Sequence, residues 1–274
     1  MPETNDTFLN NTNNSGFLFQ MRIEQEIETN KPGNWQPIAH EHRWRDPLDG
    51  KEGFVDLILE YGIERMVIEC KKTRDASWIF LVPDNRGLTK RSRFLWTYEG
   101  KVKQEVYRKK IFAWHDFSTN SNSLESSFCI VRGQGEKDAP MLERLSGILL
   151  RSVERLATEE LEFEKPSEGE LHFYIPVIIT TATLFTCRYD TNNVSIISGE
   201  LSDAVFEEVP FIRFRKNLST SLPTQKLQNL QQANKENERT IFVINSNHIV
   251  KVLSEIKFPY ELNAPWPWEN LRSS

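Results

Sequence analysis

No stretch of this chain approaches the roughly 18–20 consecutive apolar residues of a membrane-spanning helix. Its N-terminal MPETNDTFLNNTNNSG has neither the basic start nor the apolar core of a secretory leader. A soluble, cytoplasmic protein with no membrane partner is therefore expected. Cysteine is scarce: Cys70, Cys129 and Cys187 are three in number, widely spaced and without a Cys-x-x-Cys pair. That excludes a disulfide framework and a zinc ribbon, and it suits buried free thiols in a reducing compartment. A glycine-rich phosphate loop, a heptad array and internal repeats are all missing, so nucleotide-loop, coiled-coil and solenoid classes drop out. Positive charge is not in excess either, and a net charge of −5 argues against a chain that coats nucleic acid indiscriminately.

What remains is ordinary globular composition, 38% apolar and 27% charged, in 274 residues, enough for one large domain or a core with an appendage. Seven tryptophans and 17 phenylalanines supply bulk for that core. The charge is unevenly spread. Residues 71–110 hold twelve Lys or Arg against four Asp or Glu, a local +8 that leaves −13 elsewhere.

Composition and periodicity divide the chain. Residues 1–15, polar and asparagine-rich, read as a disordered tail. Apolar positions 17, 18, 21, 23 and 27 predict a helix over 17–29, ended by Lys31-Pro32-Gly33. Trp35–Trp44 reads as a strand, and Gly53–Lys72, GFVDLILEYGIERMVIECKK, as two strands joined by a short turn. Residues 76–100 read as an insertion with a strand at Trp78–Val82 and a basic loop, GLTKRSRF, and Lys101–Trp114 as a helix. The polar run 118–127 is a loop, and Phe128–Arg132 a short strand. Apolar residues at 141, 142, 145, 148, 149, 153 and 156 place one buried stripe on a helix over Pro140–Leu161. Leu171–Arg188 is one long bent strand or two, with Val177–Thr181 central in a sheet. Val194–Ile197 and Val209–Arg215 extend the sheet. A polar helix over Leu222–Glu238, a strand at Thr240–Asn245 and a helix at His248–Ile256 follow. Pro265-Trp266-Pro267-Trp268 packs onto the body.

The chemistry concentrates in the Gly53–Lys72 run. Asp56 sits in the first strand, and Glu69 and Lys71 close the second, where period-two alternation sends them to one face and Cys70 to the other. Two carboxylates and a lysine beside apolar strands are costly unless paired or metal-bound, and they suit a divalent cation. An ion pair between Glu69 and Lys71 at exposed strand ends is the plainer account of the same residues. His40 and His42 share a strand face, but no further ligand of zinc-like spacing accompanies them.

The pattern Asp-x12-Glu-x-Lys across adjacent strands resembles the PD-(D/E)XK, or restriction-endonuclease-like, nuclease superfamily. That resemblance implies an α/β fold: a helix, a three-stranded meander, a second helix and a further strand, forming a central mixed β-sheet flanked by helices. Here that core would span 16–220, with 221–274 a C-terminal helix and strand extension packed on it. Asp56 and Glu69 would hold Mg²⁺ or Mn²⁺, with Cys70 a further ligand through its carbonyl, and Lys71 would orient or activate water. Glu24, with Glu28 one turn later as its rival, matches the glutamate that the family often adds from the preceding helix. Val55 stands where the family usually has proline. The implied activity is hydrolysis of DNA phosphodiester bonds in genome defence or DNA processing, by a homodimer or with a partner protein. The alternatives are a non-catalytic nuclease-fold scaffold or protein-interaction subunit of a larger complex, or an accidental motif in an interaction protein recognised through its tryptophan-rich tail.

The basic block beside Lys71 nominates Lys72, Arg74, Lys90, Arg91 and Arg93 as phosphate contacts. Arg213 and Arg215 join them from FIRFRK, where apolar and basic residues alternate. A charge-protected edge strand explains that alternation equally well.

Overall fold

The computed structural model describes residues 4–47, 49–73, 76–84, 91–101, 108–118, 124–132, 140–163, 170–218 and 229–256. Two helices open the chain, α1 (Asn5–Asn14) and α2 (Phe17–Asn30). An antiparallel meander follows, β1 (Gln36–Arg45), β2 (Glu52–Tyr61) and β3 (Glu64–Lys71). Next come β4 (Ser77–Pro83), β5 (Arg91–Lys101), β6 (Arg108–Ser118), β7 (Glu125–Ser126) and β8 (Cys129–Val131). The long helix α3 (Met141–Glu162) leads into β9 (Glu170–Thr180) and β10 (Thr183–Tyr189). Strands β11 (Val205–Glu208) and β12 (Phe211–Asn217), helix α4 (Leu230–Asn237), strand β13 (Glu238–Asn245) and helix α5 (Ile249–Glu255) complete it.

The protein is α/β, with a large mixed sheet flanked by helices. The main sheet runs β1-β2-β3-β9-β13-β12-β7, with β3, β9 and β13 parallel and the meander antiparallel. Strand β9 serves two neighbours on one side. Its first half pairs with β5 and its second half with β13. This strand is buried on both faces, which explains its nearly continuous apolar sequence.

One face of the sheet packs under α3, whose Leu142, Leu145, Leu149, Val153 and Leu156 meet Val67, Tyr174, Ile178 and Val243. The other face packs under α2 and α5, where Ile23, Ile27, Val252 and Leu253 cover Leu57, Ile68, Val177 and Phe242. Two glycines permit close approaches. Gly53 lies under the Trp44 indole, which a β-carbon would meet at 2.5 Å, and Gly33 (φ 60°) abuts the Leu253 carbonyl.

The parallel strands β3 and β9 stop at Lys71 and Thr180. After short breaks they continue as the parallel pair β4 and β10 of a second sheet, β11-β10-β4-β8. The break is tied by side chains. Thr73 N–H donates to Thr181 Oγ1 (2.8 Å), Thr181 Oγ1 donates back to the Thr73 carbonyl (3.0 Å), and Asn245 Nδ2 donates to the Ala182 carbonyl (2.7 Å).

Several expectations change. Residues 5–14 are helical rather than disordered: Thr4 caps them, yet none of their side chains is buried, so composition identified exposure and missed local capping. Arg108–Trp114 is strand, not helix, because β6 pairs along the whole of β5. That hairpin joins the main sheet through β9, so 91–100 is part of the sheet rather than a surface insertion. Val194–Ile197 forms no strand beyond a single bridge between Val194 and Leu201. Strand β13 is interior to the sheet, so residues 238–245 belong to its centre rather than to an extension. Leu171–Arg188 is two strands, in two sheets. The tryptophans of the C-terminal tail lie outside the described residues. No helix among the described residues is long and apolar enough to cross a membrane.

At the far end of β3 and β9 from Lys71, Glu160 of α3 locks helix to sheet. It accepts from Tyr174 Oη (2.7 Å) and lies 3.1 Å from His172 Nδ1 and 3.4 Å from Arg65 Nε. Burial opposes its ionisation, but the hydrogen bonds from His172 and Tyr174 and the Arg65 charge together hold its carboxyl below the usual range. Removing one member of a buried charged cluster strands the others. Glu160→Ala is expected to lower stability by about 3 kcal/mol and Tyr174→Phe by about 1 kcal/mol, read as shifts in the urea midpoint.

Candidate active site

The turn between β2 and β3 sets the site. Gly62 (φ 58°) occupies the first position of a two-residue hairpin loop, a place where left-handed backbone is needed. With Tyr61 opposite Glu64, the register runs to Leu57 opposite Ile68. One step further would set Asp56 opposite Glu69, and there the ladder ends. The Asp56 side chain takes over from it: its Oδ2 accepts the Cys70 N–H at 2.6 Å. The Asp56 backbone carbonyl is taken by Gln20 Nε2 of α2 at 2.8 Å. The strands therefore part at the point where the two carboxylates stand.

On the other flank, β1 is irregular. His40 pairs with Leu57 and His42 with Val55, while Glu41 between them adopts φ 48° and stands across from Asp56. Such backbone is uncommon for a non-glycine residue and costs of order 1 kcal/mol.

Burial raises the pKa of Asp56 to about 6, offset in part by the Cys70 N–H and by Lys71, and reinforced by the charge of Glu41. Glu69 is pushed up to about 7, first by burial, then by the charge of Asp56, with Glu41 adding to it and Lys71 opposing. The Cys70 thiol is driven well above its ordinary value by burial and by both carboxylates. It packs into the core beneath α2, on the opposite face from Glu69, so only the Cys70 backbone meets the site. Lys71 acts on both carboxylates, yet among the described residues no cation makes salt-bridge contact with Asp56 or Glu69. The simple strand-end ion pair is thus absent. The site holds repelling, half-buried negative charge.

Three side chains are brought together as the sequence suggests: Asp56, Glu69 and Lys71. Glu24 is directed elsewhere, to His40 Nδ1 at 3.0 Å. The two histidines do not cooperate, since His42 Nε2 is 2.8 Å from Glu159 of α3. Sequence reasoning missed Gln20 and Glu41. Gln20 had a signal, being a polar residue at the spacing of the buried Ile23 and Ile27. Glu41 had none, because nothing in its neighbours announces left-handed backbone.

The basic residues divide. Lys72 Nζ donates to the Asn13 carbonyl at the end of α1, and Arg91 is exposed. Arg74 and Lys90 lie outside the described residues. Arg93, Arg213 and Arg215 are corrected to structural roles. Arg93 is buried, paired with Glu236 (2.6 Å) and Asp116 (3.5 Å). Arg215 pairs with Glu238 (2.5 Å) and Asp116 (3.1 Å). Arg213 is fully buried, donating to the Arg91 carbonyl at 2.7 Å. Alternation in FIRFRK reflects a strand covered on both faces.

The donor chemistry fits a hard divalent cation. Among the described residues no three His, Cys, Asp or Glu side chains form a ready cage, as a zinc site would require. Mg²⁺ is commonly held by one or two carboxylates, completing its shell with water and substrate phosphate, and Asp56 and Glu69 are the carboxylates that would hold it. Comparisons of the chain with protein-family models, curated proteins and solved structures return no match.

A carboxyl raised on folding leaves stability intact below its unfolded value, near pH 4, and erodes it as pH climbs through the folded value. For Glu69 the loss above pH 7 is on the order of 2–3 kcal/mol. Glu69→Gln and Asp56→Asn should therefore melt higher than the unmodified protein at pH 8 without divalent ions. The gap should close as pH falls toward 4.5. Thermal melts across that range check it, and a gap that persists at low pH would mean the charges are not the cause.

Proposed function

We propose that this protein is a divalent-metal-dependent nuclease of the restriction-endonuclease-like kind, hydrolysing phosphodiester bonds in DNA. The observation that carries this reading is the convergence of Asp56, Glu69 and Lys71 where β2 and β3 part, with carboxyl pKa values raised by burial and mutual charge. Groups perturbed this strongly by burial plus a specific neighbour are characteristic of working sites. The order of elements supports it in part: α2, the β1–β3 meander, α3 and then β9 parallel to β3 follow the sequence of parts that the superfamily resemblance implies, with strands β4–β8 inserted between the meander and α3.

In this reading Asp56 and Glu69 hold the cation and Lys71 orients the attacking water or offsets charge gathering on the phosphate. The cation, when bound, supplies positive charge against phosphate oxygens and makes water more acidic. The Cys70 N–H fixes the rotamer of Asp56, and Gln20 pins the backbone beneath it. DNA, rather than RNA, follows from the resemblance, as do a place in genome defence or DNA processing and a dimeric state. Lys72 and Arg91 are the described cations that remain for the phosphate backbone.

Purified protein should cut supercoiled, linear or single-stranded DNA with Mg²⁺ or Mn²⁺ and not with EDTA, and Glu69→Ala or Lys71→Ala should reduce the rate at least ~100-fold. Independently of cleavage, millimolar Mg²⁺ should raise the melting temperature at pH 8 in the unmodified protein and not in Glu69→Gln. Absence of both cutting and a Mg²⁺-dependent shift would sink the reading.

A further inference from the structure

Between β10 and β11 the chain builds a finger that nothing in the proposed chemistry requires. Asp190 Oδ1 accepts the Asn192 N–H (2.9 Å), and Ser202 Oγ donates to the Asn193 carbonyl (3.0 Å). Val194 bridges to Leu201, and the tip closes through Gly199 N–H to the Ser195 carbonyl (2.7 Å), with Gly199 at φ 72°. This hydrogen-bonded turn presents Ile196 and Ile197 wholly to solvent, at 101% and 100% exposure. The next strand, β11, exposes Val205 and Phe206, each by more than half. Turn formation needs no isoleucine, and grouped exposed apolar side chains mark interaction surfaces.

The outer edge of β11 adds a second feature. It ends the four-stranded sheet, its four residues are exposed, and its only protection against strand addition is its short length and the charge of Glu207 and Glu208, which repels an acidic strand and attracts a basic one. Its two faces each offer one apolar and one acidic side chain: Val205 with Glu207, and Phe206 with Glu208.

Charge selects the occupant. Residues 189–208 contain five acids (Asp190, Glu200, Asp203, Glu207 and Glu208) and no Lys, Arg or His. A phosphate backbone would be repelled, and two copies of the finger would set like charge against like. We infer that β11 and the Ile196–Ile197 finger form a docking surface for a partner protein that contributes an extended segment in which two consecutive apolar residues adjoin two consecutive basic ones, so that each face of its strand carries one of each. The partner's strand adds to the β11 edge through main-chain hydrogen bonds, its bases meet Glu207 and Glu208, and its apolar side chains cover the finger. This surface is separate from Asp56 and Glu69 and does not depend on their role.

The test uses the full-length protein and two synthetic peptides, one repeating Val-Val-Lys-Lys, the other Val-Val-Glu-Glu. By fluorescence anisotropy the lysine peptide should bind and the glutamate peptide should not. Binding should weaken about tenfold or more in the Ile196→Ser/Ile197→Ser and Glu207→Lys/Glu208→Lys double variants, and should be unchanged in Glu69→Gln. Amide exchange at Val205–Glu208 should slow when the lysine peptide is present. Failure of both peptides to bind, equal binding of both, or binding that survives in both double variants would overturn the inference. So would finger variants that change affinity for a DNA duplex and not for the peptide.

Discussion

The hydrogen bond from the Cys70 N–H to the Asp56 carboxylate governs the candidate site, because it forms where the β2–β3 ladder gives out. A two-residue turn at Gly62 sets the register, and pairing runs as far as Leu57 and Ile68, one step short of setting Asp56 opposite Glu69. Two carboxylates at that spacing inside a sheet repel, and burial strengthens the repulsion. The strands answer by parting, with one carboxylate turned onto a backbone donor and Gln20 closing the strand behind it. The raised pKa values record what is left unresolved: two half-buried carboxyl groups, with Glu41 near them, whose charges oppose one another.

The rest of the fold makes that arrangement stiff. A sheet covered on both faces, by α3 on one side and α2 with α5 on the other, cannot relax its strands apart to relieve the charge. At the opposite end, Glu160 with Tyr174, His172 and Arg65 anchors α3 to the starts of β3 and β9. A second ionic network, Arg93, Asp116, Arg215, Glu236 and Glu238, ties β5 and β6 to β12, α4 and β13. The contrast between these networks and the site is physical. In the networks each carboxylate lies against a guanidinium, whereas Asp56 and Glu69 meet none among the described residues.

The continuation of β3 and β9 into β4 and β10 gives the site its setting. Both strands break within a few residues of Lys71, and the threonine and asparagine hydrogen bonds across that break hold the second sheet beside the carboxylates. The acidic finger therefore hangs from a sheet whose root is the candidate site, while its apolar tip projects into solvent. A half-buried pair of carboxylates and an acidic, apolar finger are thus joined through strands that run on from one sheet into the other.

Local pattern made much of this legible. The stripe of α3, the strands and turn of the hairpin, the Asp56, Glu69 and Lys71 constellation and the late strand–helix pair all rest on periodicity or turn chemistry within a few residues. The α/β class with a mixed central sheet was what the resemblance carried by Asp56, Glu69 and Lys71 implied. What depended on distant partners was not readable. Arg108–Trp114 has no helical commitment once β5 is there to pair with it. Arg93, Arg213 and Arg215 look like surface cations until Asp116, Glu236 and Glu238, remote in sequence, arrive beside them. Glu41 joins Asp56 and Glu69 only because β1 bends into left-handed backbone there. The sequence by itself determined which residues could carry charge at a strand end. Tertiary structure decided which of those charges would be neutralised and which left repelling, since burial and pairing are properties of neighbours brought together by the fold.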